Sequence, residues 1–148
     1  MPRLATAEVL DRTEFAAAVE RLFGLLRRLT PAQDVSLTGV STLANLERGG
    51  PRRLTELASR EGVTQPGMTQ LVSRLERDGL ARRTADPSDG RVVVVEVTDA
   101  GRELLRQRRL VRATRLTELL ATLPAEDEAA IAAALPALRR LASLLPPG

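Results

Sequence analysis

The chain has 148 residues, 43% of them hydrophobic, and its 22 basic and 19 acidic side chains leave a formal net charge of +3. This length suits one domain, and the content of Leu, Ala and Val excludes global disorder. The sequence contains no His, Cys, Lys, Tyr or Trp, which excludes thiol chemistry, the usual zinc ligands and the common pairs of nucleophile and general base. We therefore expect no cofactor, no metal and no catalytic residue.

Three helices are predicted in the first part of the chain. The first covers residues 8–29, because apolar side chains from Phe15 to Leu29 recur at steps of three and four. The second covers residues 37–47 and ends before a Gly-Gly-Pro turn. The third is short, with Thr55 as its N-cap and its end at Arg60.

A fourth helix and a β-hairpin are predicted next. The helix follows a turn at Gly62, has Thr64 as its N-cap and Pro66 in its first turn, and ends at Asp78-Gly79. Residues 86–90 are a cluster of turn formers between two β-prone runs, which predicts a hairpin.

Two helices complete the predicted order. Thr98-Asp99 caps a helix over residues 99–121, and Pro124 opens a last helix. Pro136 lacks an amide hydrogen and clashes with the carbonyl of Ala132, so we expect a bend or a break there. Three acidic residues in the first turn suit the helix dipole, and a metal site is the alternative: Glu126, Asp127 and Glu128.

The distribution of charge predicts a class of partner, and the lack of membrane and secretion signals predicts a location. Residues 48–91 hold nine Arg against six acidic residues, and residues 102–115 hold six Arg against one Glu. This concentration favours a polyanion, although a solvated helix face would look the same. No apolar run approaches a membrane span, no signal-peptide core is present, and Cys is absent. These features predict a cytoplasmic protein without a membrane partner.

Residues 54–71 form a predicted helix-turn-helix unit. Leu57 and Ala58 face inward, Gly62 makes the turn, and three apolar residues close the core: Val63, Met68 and Leu71. With the hairpin behind it, the unit has the order of a winged helix, whose second helix enters the major groove of DNA. The opposite face of that helix is polar, and Gly67 permits close approach of the backbone. Two packed helices with a solvated face and no ligand are the alternative.

Three motifs carry a resemblance to a known family. They are LTELASREGVTQPGMTQLVSRLERDGLARR, DPSDGR and VEVTDAGREL. Within them, Leu75 to Leu80 match a Leu-Glu-x-x-Gly-Leu step, Asp89 to Arg91 match an Asp-x-Arg wing, and Val97 to Gly101 match a Leu/Val-Thr-x-x-Gly helix start. The chain resembles the MarR-type winged-helix transcriptional regulators over nearly its whole length.

The resemblance implies a fold that is mainly α with a small β-hairpin wing. It is a winged helix-turn-helix lobe at residues 37–97, flanked by dimerisation helices at residues 8–29 and 99–145, in a single domain of residues 1–148. It implies a homodimer that represses transcription from a pseudo-palindromic duplex, with activation as the alternative sign. Carried over residue by residue, the DNA-binding positions are Thr64, Gln65, Gly67, Thr69, Gln70, Ser73, Arg74 and Arg77 in the recognition helix, and Ser88, Asp89 and Arg91 in the wing.

The resemblance also implies a small aromatic or anionic effector in a cleft between the dimer and DNA lobes. Phe15 and Phe23 are the candidate ligand-binding residues, and ordinary apolar packing is their alternative. In the wing, Gly90 stands where many relatives carry a basic residue, so a weaker grip is expected. We also predict that the Asp89 carboxylate pairs with the Arg91 guanidinium in bidentate geometry.

Two other classes of function compete with DNA regulation. A winged helix used for protein–protein assembly would not need a basic wing or an Arg-rich helix. An enzyme would have to rely on carboxylates alone, and the sequence has no evident acidic pair in a cleft pattern.

Overall fold

The computed structural model describes residues 9–29 and 35–144. The chain divides into two compact units, residues 1–31 and residues 32–148. In the first unit, helix α1 spans Arg12–Leu29. The predicted helix over residues 8–29 therefore begins too early, because the Asp11 carboxylate accepts the backbone N–H groups of Thr13 (2.8 Å) and Glu14 (3.1 Å) and caps the helix there.

The second unit opens with helix α2, Leu37–Gly49, which the Ser36 hydroxyl caps by accepting the Gly39 amide at 3.1 Å. Helix α3 follows at Leu54–Glu61. The predicted N-cap, Thr55, is wrong, since Thr55 lies inside the helix and the N-cap is Arg53. The reason is the Glu56 carboxylate, which accepts the Arg53 amide at 3.2 Å and starts the helix earlier.

Helix α4, Gln65–Arg77, confirms the predicted fourth helix. The Thr64 hydroxyl accepts the Gly67 amide at 3.2 Å and so forms the predicted cap. Gly62 has φ of 64° and Gly79 has φ of 72°, so glycine makes the turns before and after α4 in the left-handed region that side chains avoid.

The predicted hairpin is also confirmed. Strand β1, Ala81–Ala85, pairs antiparallel with β2, Val93–Val97, in the register that sets Arg83 opposite Val95. Arg52, from the turn before α3, bridges to Val95 through two backbone hydrogen bonds of 2.8 and 3.0 Å. This bridge ties the hairpin to the helix-turn-helix unit.

Helix α5 spans Asp99–Leu120, with the Thr98 hydroxyl as its predicted cap, and α6 spans Ala125–Ala142. α6 is continuous through Pro136, so the chain does not break there, and the bend stays a prediction. Residue 145 lies outside the described residues. No helix within residues 9–29 and 35–144 is both long and apolar enough to span a bilayer.

The core of the second unit is aliphatic and lies between α2, α3, α4, the hairpin and the start of α5. Predicted members are confirmed, since Leu57, Ala58, Met68 and Leu71 are buried and Val63 packs against them. α6 is the exception in this unit, because every one of its residues is exposed. Its largest apolar side chains are 40–49% exposed: Ile131, Leu135, Leu138 and Leu141.

Candidate nucleic-acid interface

Helix α4 is held by one face and exposes the other. Its apolar face is buried in the core, with Met68 and Val72 fully covered and Leu75 only 2% exposed. Apolar residues at steps of three and four leave the polar ones on the opposite side of the helix. The predicted DNA-binding residues that lie exposed on α4 or at its N-cap are Thr64, Gln65, Thr69, Gln70, Arg74 and Arg77, while Gly67 and Ser73 are half-buried.

Two hydroxyl groups on α4 bond to the helix itself. The Thr69 hydroxyl donates to the Gln65 carbonyl at 3.0 Å, and the Ser73 hydroxyl donates to the Thr69 carbonyl at 2.9 Å. Each bond sets the direction of the hydroxyl hydrogen, because a carbonyl oxygen can only accept. The oxygen lone pairs are then what these side chains offer to a partner.

A charged contact that the sequence analysis did not single out joins α4 to β1. The Arg83 guanidinium forms an ion pair with the Glu76 carboxylate, which also accepts the Arg83 backbone amide at 3.0 Å. Arg83 further donates to the Ser73 hydroxyl at 3.4 Å. Glu76 belongs to the Leu-Glu-x-x-Gly-Leu step, so the motif contained a signal for this contact but did not identify the partner.

The wing is a turn of residues 86–92 that is closed by its own polar groups. The Asp86 carboxylate accepts the Ser88 amide at 2.8 Å and the Ser88 hydroxyl at 2.7 Å. These bonds from Ser88 lower the pKa of Asp86 below its ordinary value, because they stabilise the charged carboxylate. Backbone bonds between Asp86, Asp89 and Val92 complete the turn.

The predicted side-chain pair in the wing is wrong. The Asp89 carboxylate accepts the backbone amide of Arg91 at 3.1 Å, and no ion pair joins the two side chains. An Asp two residues before an amide reaches that amide within a tight turn, and this local bond competes with the guanidinium. Arg91 is exposed at the wing.

Comparisons with known proteins match the part of the chain that contains α4 and the wing. A model described as the MarR family matches residues 35–93. An HTH-type transcriptional regulator of Mycobacterium bovis is 39% identical over 111 residues, which cover 75% of this chain and 78% of that protein. The HTH-type transcriptional repressor MdtR of Bacillus subtilis is 33% identical over 95 residues, or 62% of this chain and 57% of MdtR. The chain belongs to the MarR family.

Solved structures of this type confirm the winged-helix fold. The crystal structure of a protein assigned as a transcriptional regulator in Pseudomonas aeruginosa has 32% identity and a TM-score of 0.74, covering 90% of this chain and 94% of that one. Members of the MarR family are DNA-binding transcriptional regulators, not enzymes. The chain is therefore a helix-turn-helix regulator of the DNA-binding class.

The MarR-family assignment does not extend to individual residues. α4 and the wing bring the candidate DNA-binding residues onto two neighbouring elements, and the contact of each with DNA stays a prediction. The candidate effector residues lie on α1, where Phe15 is half-buried and Phe23 is 63% exposed. A cavity of about 270 Å³ runs along α4 beside Leu71, Arg74 and Leu75.

Proposed function

We propose that this MarR-family chain is a homodimeric repressor that binds a pseudo-palindromic duplex through one winged-helix lobe from each copy. Residues 37–97 form the lobe, and residues 8–29 and 99–145 join the two copies. The exposed polar face of α4 carries the proposal, since the buried face holds the helix in the lobe and leaves polar groups for the major groove.

Pairing of two copies is supported by α6. Ile131, Leu135 and Leu138 are 40–43% exposed although they repeat at helical spacing. An apolar stripe of this kind usually marks an interface in a soluble protein. A second copy of the chain would cover it and would place two recognition helices on one duplex.

Repression is supported by two relatives, since MdtR of Bacillus subtilis and NicR of Pseudomonas putida are transcriptional repressors. We further propose that a small aromatic or anionic effector releases the DNA and that Phe15 and Phe23 contribute to its site. Isothermal titration calorimetry, in which small aromatic or anionic compounds are added to the wild type and to Phe23→Ala, tests effector binding separately from DNA binding.

Arg91→Ala is expected to weaken binding to cognate and scrambled duplexes alike, by about 1–3 kcal/mol, and to make the salt dependence of affinity shallower. Arg91 is exposed in the wing, and no ion pair among the described residues involves its side chain. An Arg placed in the minor groove senses groove width and negative potential more than base identity. Fluorescence anisotropy titrations at several salt concentrations measure both quantities.

Arg106→Ala is the matched control, because it removes one unit of positive charge from α5, where Arg106 pairs with Glu103 at 2.6 Å. A smaller loss of affinity and of salt slope than that of Arg91→Ala is expected for this variant, because the Arg106 guanidinium is already paired with Glu103. If Arg91→Ala loses no more than Arg106→Ala, the wing does not touch DNA.

The recognition helix is expected to behave differently from the wing. Gln65→Ala and Arg74→Ala should weaken the cognate site more than scrambled DNA, since side chains on α4 would meet base edges. Equal losses on both duplexes would assign these two residues to the phosphate backbone. Absence of salt-dependent DNA binding in the wild type would favour the protein–protein assembly alternative.

A further inference from the structure

Among the described residues, Ser73 is the one candidate DNA-binding side chain whose hydroxyl is bonded to two other groups of the protein. It donates its hydrogen to the Thr69 carbonyl at 2.9 Å and accepts a hydrogen from Arg83 at 3.4 Å. Both directions follow from chemistry, because a carbonyl can only accept and a guanidinium can only donate.

The hydrogen-bonding capacity that remains on this hydroxyl limits which groups it can recognise. A serine hydroxyl has one hydrogen and two lone pairs. The hydrogen and one lone pair of Ser73 are occupied, so a single lone pair remains. Phosphate oxygens and the carbonyl oxygens of guanine and thymine are acceptors and cannot bond to a lone pair. In the major groove, the donors are the amino groups of adenine and cytosine.

Arg83 is held in place from its other side. Its guanidinium pairs with Glu76, its backbone amide donates to the same carboxylate at 3.0 Å, and its side chain is only 30% exposed. A planar guanidinium can bond to a carboxylate and to a hydroxyl at once, which the point charge of an ammonium group does less well. Arg83 therefore holds the Ser73 oxygen in its acceptor state.

We propose that Ser73 reads one base pair by accepting a hydrogen bond from the amino group of adenine or cytosine, and that Arg83 is its positioning residue. The inference rests on the proposed function, because it requires α4 to enter the major groove. Its signature is a preference for amino bases over keto bases on one strand, at one position of each half-site.

Selection from a random-duplex pool with the full-length protein tests the proposal. We expect one position per half-site at which adenine or cytosine is preferred over guanine or thymine by about tenfold. Ser73→Ala removes the acceptor and favours the helix. In this variant the base preference at that position should fall to less than about twofold, while the preferences at the rest of the selected site are unchanged. Replacing the base at that position by an analogue without the amino group should weaken the wild type and leave Ser73→Ala unaffected.

Arg83→Lys tests the positioning role, and Arg82→Lys is the matched control. Arg82 is the neighbouring residue of β1, and its side chain pairs with Glu96 of β2. Arg83→Lys should reduce the preference at the same position and leave the salt slope as it is, because the charge is kept and no phosphate contact is lost. Arg82→Lys should change neither.

The outcomes separate this inference from the proposed function. A pool in which the wild type enriches no site overturns the proposed function and the inference with it. A wild-type site whose every base preference survives in Ser73→Ala overturns the inference alone. A preference for keto bases that Ser73→Ala removes also overturns it, since the hydroxyl would then act as a donor.

Discussion

Gly101→Ala is expected to lower the free energy of unfolding by about 2 kcal/mol, although alanine favours a helix over glycine by about 1 kcal/mol. Gly101 is buried in the first turn of α5. A Cβ atom there would overlap the Leu80 carbonyl and would lie 2.7 Å from the Val97 side chain. Chemical denaturation followed by circular dichroism measures the loss.

The Leu80 carbonyl has little freedom to move away from an added methyl group. It accepts the Thr98 amide at 3.1 Å, and the Thr98 hydroxyl donates to the Gly79 carbonyl at 2.6 Å. A shift that relieves the overlap would therefore lengthen these hydrogen bonds, which link the residues after α4 to the start of α5. Overpacking against backbone is costly for this reason.

Gly90→Ala is the control for this prediction. Gly90 lies in the wing, where a Cβ atom would meet none of the described residues other than its chain neighbours, and it does not require positive φ. Its replacement is expected to change stability by less than about 0.5 kcal/mol. If Gly101→Ala is as stable as Gly90→Ala, the close approach at Leu80 does not constrain the fold.

The pair of substitutions Leu135→Asp and Leu138→Asp is expected to give a folded monomer whose affinity for the full operator is reduced at least about 100-fold. Linking two DNA-binding lobes raises the effective affinity by about 10² to 10⁴, and this gain is lost when the copies separate. Both side chains are 40–43% exposed in the single chain, so the lobe keeps its own core. Sedimentation equilibrium and operator titration report the two effects.

The pair of substitutions Ala133→Asp and Ala137→Asp is the matched control. It adds the same charge to α6, on a different side of the helix from Leu135 and Leu138. We expect this control to remain a dimer with near wild-type affinity. A Leu135→Asp and Leu138→Asp variant that stays dimeric would place the contact between copies elsewhere.

Sequence reasoning predicted the order of helices, the hairpin and most members of the core. These features depend on signals within a few residues of each other. Thr64 and Thr98 each accept an amide three residues ahead, as expected of helix caps. The wrong cap at Thr55 has the same origin, since the neighbouring Glu56 offers its carboxylate to Arg53 and the two local signals compete.

The candidate site was predicted as a set of residue types, and its bonding was not. Asp89 and Arg91 were expected to pair through their side chains, yet the turn brings the carboxylate to the backbone amide. The sequence pattern did not distinguish the contact of Arg83 with α4, because a basic residue in a strand next to the wing is equally consistent with a DNA contact. Its two partners, Ser73 and Glu76, lie on another element.

By itself, the sequence determined which segments are helical, their starts and ends to within a few residues, and which face of α4 is buried, because periodicity and capping act within one or two turns. The tertiary structure decided what happens between elements. The contact of Arg83 with α4 depends on the angle at which β1 leaves that helix, and the need for glycine at position 101 depends on how closely α5 passes the end of α4. Neither the angle nor the approach is encoded in local spacing, since both result from packing the whole core.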